Sequence, residues 1–174
     1  MKRSMLLLTA VLLAALLALG GCAKLPDDTM TLTIDGKSYT LTNRYTQYIK
    51  DYQTRVPSHY TAEFEAKGSG CPVSRLGIML SYGLPSGTYS VKNGDIVFYV
   101  DAYGQDGKYY SNTTSSLPIS LAAGGYTLRV TNSTDKRGNQ TINGRFSITL
   151  GSDSQRLEIQ SGEFELHVPA NAWD

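Results

Sequence analysis

The chain is poor in the residues and spacings that most enzyme chemistry needs. Its 174 residues include two histidines, His59 and His167, far apart and without HExxH, CxxC or any comparable ligand spacing, so the linear signatures of a metal site are missing. No Gly-x-Ser-x-Gly elbow occurs. Gly68-Ser69-Gly70 is shorter and precedes no recognisable helix, which leaves hydrolase chemistry without a nucleophile motif. The acidic stretch Asp101-Ala102-Tyr103-Gly104-Gln105-Asp106-Gly107 lacks the ligand progression of an EF-hand and reads as a solvated hairpin loop. No catalytic residue, metal or cofactor is expected, and the chain reads as a protein without enzymatic activity.

Charge of one sign is equally scarce. Sixteen Lys and Arg stand against fifteen Asp and Glu, a formal net charge of +1. Lys136-Arg137 is only a pair in a turn, and no basic block or acidic tail is present, so nucleic acid is not an expected partner. Regular helical segments are missing, which disfavours a parallel sheet with crossover helices. Long apolar runs are limited to Met5–Leu19, shorter than the roughly 20 residues of a membrane span.

That one run is informative because of what flanks it. Lys2 and Arg3 precede it and small residues end it, the three-part pattern of an export signal. The terminus Leu19-Gly20-Gly21-Cys22 resembles the lipobox of bacterial lipoprotein precursors. The resemblance implies cleavage between Gly21 and Cys22 and a diacylglyceryl group on the Cys22 thiol, so that Cys22 is the lipidated first residue of the mature chain. It further implies a membrane partner through that lipid. Two or three acyl chains hold firmly where one holds only marginally, and Ala23, where inner-membrane lipoproteins often carry Asp, favours the outer membrane. Residues 22–29, polar and containing Pro26, read as an exposed tether. Within it Asp27-Asp28 resembles acidic surface-export signals, or is simply solvated spacer. Removing residues 1–21 takes Lys2 and Arg3 with it and brings the net charge to about −1.

With Cys22 claimed by lipid, Cys71 has no partner within the chain. Its place in Gly68-Ser69-Gly70-Cys71-Pro72 suggests a loop, yet free cysteine is among the most buried residue types and no activating histidine or basic residue adjoins it. An inert, buried thiol is expected.

Beyond the tether the sequence reads as β throughout. Alternating runs rich in Thr, Val, Ile and Tyr are punctuated by glycine-containing turn signals. Asp35-Gly36, between Met30–Ile34 and Lys37–Leu41, has the chemistry of a type I′ hairpin. Asp106-Gly107, Asn93-Gly94, Gly124-Gly125, Asn143-Gly144 and Ser161-Gly162 read as further turns. Phe146, Ile148 and Leu150 share one strand face, as do Leu157 and Ile159, and Phe164, Leu166 and Val168. One buried and one wet face is the antiparallel pattern. The expected fold is an all-β antiparallel sandwich over residues 30–170 as a single domain, with an open β-barrel as the alternative and residues 171–174 as a tail. Trp173 either caps the core or stays loose in that tail. The sequons at Asn112, Asn132 and Asn139 read as polar turns.

One segment departs from the hairpin pattern. Tyr45, Tyr48, Ile49 and Tyr52 fall at the i, i+3, i+4, i+7 spacing of a helical face, so a short helix near 44–53 is expected. Thr33–Tyr39, Asn143–Thr149 and Ser161–Leu166 together resemble a group of small β-rich bacterial lipoproteins of unknown function. That resemblance implies architecture and location and carries no site residues.

Twelve tyrosines and one tryptophan are the remaining functional signal, since aromatic faces stack on sugars while phenols satisfy polar rims. Tyr45, Tyr48 and Tyr52 in the irregular segment, and Tyr103, Tyr109 and Tyr110 around one hairpin, are the candidate ligand-binding residues. Cross-strand aromatic packing accounts for them equally well. The reading is a lipid-anchored cell-envelope binding or interaction module with a glycan or protein partner. Its alternatives are a carbohydrate-binding lipoprotein and a surface assembly subunit that exchanges edge strands.

Overall fold

A computed structural model describes residues 28–68, 70–90, 97–111, 125–151 and 156–174. Cys22, Gly21 and the rest of the export signal lie outside the described residues, as do the Asn93-Gly94 turn and Asn112.

Ten strands make up the described chain: β1 (Thr29–Ile34), β2 (Lys37–Lys50), β3 (Pro57–Ala66), β4 (Val73–Ser81), β5 (Gly87–Ser90), β6 (Phe98–Gly104), β7 (Tyr109–Ser111), β8 (Tyr126–Thr134), β9 (Gln140–Gly151) and β10 (Arg156–Val168). Every pairing is antiparallel. Hydrogen bonding runs β10-β1-β2-β3-β4-β6-β7-β9 and returns from β9 to β10, closing an eight-stranded barrel, while β8 and β5 continue outward from β9. The sandwich expectation is therefore corrected to a barrel, and the barrel is closed rather than open. No described residue is helical.

Local chemistry explains the connections. Asp35 and Gly36 both take positive φ, 50° and 70°, as a type I′ turn requires. Gly107, at φ 78°, turns β6 into β7. Between β8 and β9 the Asp135 carboxylate accepts from the amides of Arg137 and Asn139, at 2.8 and 2.9 Å, with Gly138 at φ 84°. Asp51 ends β2 in the same way, accepting from the Gln53 and Thr54 amides.

Two glycines assigned to turns are instead in mid-strand. Gly144 faces Phe164 across the β9–β10 ladder, and Gly162 faces Phe146. A Cβ on either glycine would lie 2.0 or 2.2 Å from the ring opposite. The tip of each ring thus occupies the space a Cβ would take, and bare backbone of this kind lets strands curve tightly at a barrel corner. A bulge between Ile159 and Gly162 accompanies it.

Eight strands leave an interior just wide enough for side chains to fill. Here Phe64, Phe98, Leu32, Leu41, Leu76, Leu150 and Leu166 are almost completely buried, and Phe98 packs on Phe146 and Phe164 at 5.2 and 6.1 Å. The faces foreseen for β9 and β10 are buried as expected, except that Leu157 is half-buried. Arg129, Arg145, Glu158 and Glu163 point outward.

The helix expected near 44–53 does not form. Strand β2 runs through to Lys50, and a bulge between Asn43 and Tyr45 inserts one extra residue opposite β3. Before the bulge Leu41 faces the core; after it Tyr45 and Gln47 face out while Tyr48 faces in. Tyr45 and Tyr48, three apart, share a helical face but lie on opposite faces of this strand, and Tyr52 lies beyond its end.

The barrel also takes in residues that composition assigns to its flanks. Asp28 and Thr29, read as tether, begin the fold. The Asp28 carboxylate is buried, accepting from the His167 amide at 2.7 Å and the Thr46 hydroxyl at 2.8 Å. Its Oδ1 is 3.1 Å from His167 Nδ1, and His167 Nε2 is 3.1 Å from Glu165. At the other terminus Trp173 packs against Tyr48, Tyr60 and Tyr82, with centroids 4.9 to 5.6 Å apart. It caps the barrel end.

Candidate functional site

Strands β2, β3, β4, β6 and β7 lie side by side, and their register lines up outward side chains in rows. Tyr45, Glu63, Gly77, Asp101 and Ser111 form one row, each opposite the next. Gln47, Thr61, Met79 and Tyr99 form the next. Glu65, Arg75, Tyr103 and Tyr109 form the row on the other side. The first two rows and Tyr109 enclose a groove of about 490 Å³ on the barrel wall.

Gly77 decides the shape of its floor. A Cβ there would lie 2.1 Å from Asp101 Oδ1, so the Asp101 carboxylate folds over the bare backbone of β4. The amides of Asp101 and Gly77 donate to it. Burial, opposed by those amides and aided by the Glu63 charge, raises its pKa above the usual carboxylate range. Among the described residues Asp101 has no ion-pair partner. Glu63, two strands away, has one: Arg44, the bulged residue of β2, donates to it at 2.6 Å and also lies 3.6 Å from Glu65. The Tyr45 hydroxyl donates to Glu63 at 3.3 Å.

Both side walls feel these carboxylates. The Tyr45 phenol is raised by burial and then by Glu63; that of Tyr109 is raised by burial and then by Asp101. Tyr103 stacks obliquely on Tyr109 at 5.2 Å, with the Arg75 guanidinium 5.2 Å from its ring centre. Thr61 Oγ1, in the lining, is buried with no hydrogen-bond partner.

Of the six tyrosines selected from sequence, the structure brings three together: Tyr45 and Tyr109 in the groove, and Tyr103 at its rim. Tyr48 belongs to the Trp173 cluster, Tyr110 is in the core, and Tyr52 stands exposed beside Arg55 in the β2–β3 turn. Sequence reasoning missed Glu63, Asp101, Thr61, Gly77 and Met79. The available signal was Gly77 itself, since an isolated glycine within an alternating run marks a close approach of another group. Asp101, read as part of a loop, is within β6; of the acidic stretch Asp106 alone caps the turn, pairing with Lys108 at 3.2 Å. Cys71 is buried and burial raises its thiol pKa, as expected of an inert thiol. Asn132 is on β8 rather than in a turn, and its side-chain amide donates to the Leu84 carbonyl at 2.5 Å.

A groove of about 590 Å³ lies across β8, β9 and β10, but among the described residues of its lining Tyr126 is the one aromatic and Glu158 the one charged side chain. Among the described residues no cluster of His, Cys, Asp and Glu is arranged to hold a metal. No protein-family model matches the chain, and it matches no curated protein or solved structure.

Proposed function

We propose that the protein is a non-enzymatic binding module of the cell envelope, held at the outer membrane by lipid on Cys22, with the groove over Gly77 as a carbohydrate-binding site. One observation carries the ligand site: Tyr45 and Tyr109, half exposed, flank two carboxylates and an unbonded hydroxyl on a rigid sheet. Aromatic faces pack against the apolar faces of sugar rings, and carboxylates accept from their hydroxyls. The side chains are fixed by strand register rather than by loops, so little ordering is required on binding. Anchoring by lipid fits a barrel whose interior is apolar and whose outward positions carry Arg and Glu, the reverse of barrels that cross membranes by their strands.

A glycan array probed with detergent-extracted protein tests the site. Specific signals are expected for the wild type and at least about tenfold weaker ones for the Tyr45→Ala/Tyr109→Ala double variant, since losing two aromatic anchors costs well over a factor of ten. Signals that survive in the double variant would move the site elsewhere, and no specific signal in either protein would sink the carbohydrate reading.

A further inference from the structure

The groove has more acid than its own cations neutralise. Arg44 is engaged by Glu63 and Glu65, and Arg75 lies over Tyr103. Asp101 is left without a cation among the described residues, half-buried beside Glu63, with Gly77 keeping the space between them low. The two carboxylates stand on strands one apart from a shared neighbour, so their Cα atoms are roughly 9 to 10 Å from each other. A group seated above Gly77 therefore reaches both.

The walls favour the same charge. Tyr45 and Tyr109 line the same groove, and aromatic faces attract cations. The stacking of Arg75 on Tyr103, in the adjoining row, is the same interaction formed within the chain. Burial raises both phenols first, and the Glu63 charge at Tyr45 and the Asp101 charge at Tyr109 raise them further. Thr61 supplies a buried hydroxyl without a hydrogen-bond partner among the described residues, an unmet need that a donor group entering the groove would satisfy.

We propose that the groove selects ligands bearing a protonated amine, which sits above Gly77 between Glu63 and Asp101 and against the rings of Tyr45 and Tyr109. The inference rests on the reading of this groove as a ligand site and narrows the occupant to a cation, an amino sugar with a free amine being the form that meets both. Arg44 fixes Glu63 in place, and Asp101 supplies the charge that no described cation balances.

Calorimetric titration of the detergent-extracted protein with three probes separates the two readings. The probes are a β-1,4-linked glucosamine tetramer, its fully N-acetylated counterpart, and spermidine. The expected result is binding of the glucosamine tetramer at least about tenfold tighter than of the acetylated one, weakened several-fold on raising NaCl because the attraction is screened. Asp101→Asn, nearly the same shape, is expected to abolish that preference. Tyr109→Ala, at a half-exposed position, should weaken the glucosamine tetramer by a similar factor and stands in should Asp101→Asn fail to fold. Equal binding of the two tetramers overturns the charge inference and leaves the carbohydrate reading intact. Spermidine binding without either sugar supports the amine seat and removes the carbohydrate reading. A preference that persists in well-folded Asp101→Asn, or no binding of any probe, overturns the proposal.

Discussion

Tyr60 is 2% exposed at the Trp173 end of the barrel, with its hydroxyl 3.5 Å from Gln140 Oε1. Burial, with Tyr82 and Tyr48 contributing, pushes its pKa up to about 12. In the unfolded chain a tyrosine ionises near 10. The folded state thus keeps its proton over a pH range in which the unfolded state loses it, and stability falls as pH rises from about 10 through about 12. A difference of about two units corresponds to roughly 2 to 3 kcal/mol once fully lost. Urea midpoints measured between pH 9 and 12 should decline, and Tyr60→Phe should flatten that decline while costing about 1 kcal/mol or less at pH 7. Parallel declines in the two proteins would assign the alkaline sensitivity to other groups. At this scale composition could not separate Tyr60, a core residue, from Tyr45, a groove residue. A phenol suits either place, and only the neighbours on adjacent strands distinguish them.

Strands carry the information that single residues lack, and they were legible wherever alternation was unbroken. The Asp35-Gly36 hairpin and the inward faces of β9 and β10 follow from period-two patterning and turn chemistry alone. Reading failed where a strand departs from that period. The bulge at Arg44 switches the facing of β2, so the inward set passes from Leu41 before it to Tyr48 after it, and Tyr45 and Tyr48, three apart on one strand, lie on opposite sides although their spacing suits one helical face. Gly144 and Gly162 carry turn chemistry in sequence but serve as space for Phe164 and Phe146. Nothing local marks the difference, because the ring that fills the space belongs to the partner strand. Gly162→Ala should consequently overpack the corner and cost about 1 to 3 kcal/mol, a fall of several degrees in Tm at this chain length. A Tm within about a degree of wild type would show that the Phe146 ring has room to move aside. The groove was hidden for a similar reason: its carboxylates come from β3 and β6, and only the register at Gly77 makes them neighbours.

In the whole molecule, hydrogen bonding runs from β10 round to β9 and back to β10. β10, β1, β2, β3, β4 and β6 pair over long registers, and among the described residues β7 meets β9 through Ser111 and Gly151. Sandwich and barrel share the same strands and inward faces, so the alternation that revealed those strands could not show whether the sheet returns to its start. The anchoring proposal is tested at this scale too. Cys22→Ser should move the protein from the membrane fraction to the soluble one and abolish acyl incorporation; unchanged fractionation would exclude lipid on that thiol as the anchor. Independently of what anchors it, any pull on the chain ahead of Asp28 is delivered to the start of β1. That strand lies between β2 and β10, both antiparallel to it, and the bonds from His167 and Thr46 to Asp28 guard its first residue. A load applied along β1 against a ligand held on the wall is therefore borne in shear by both flanking ladders together, instead of opening them one bond at a time, and the barrel resists being unravelled from its tethered end.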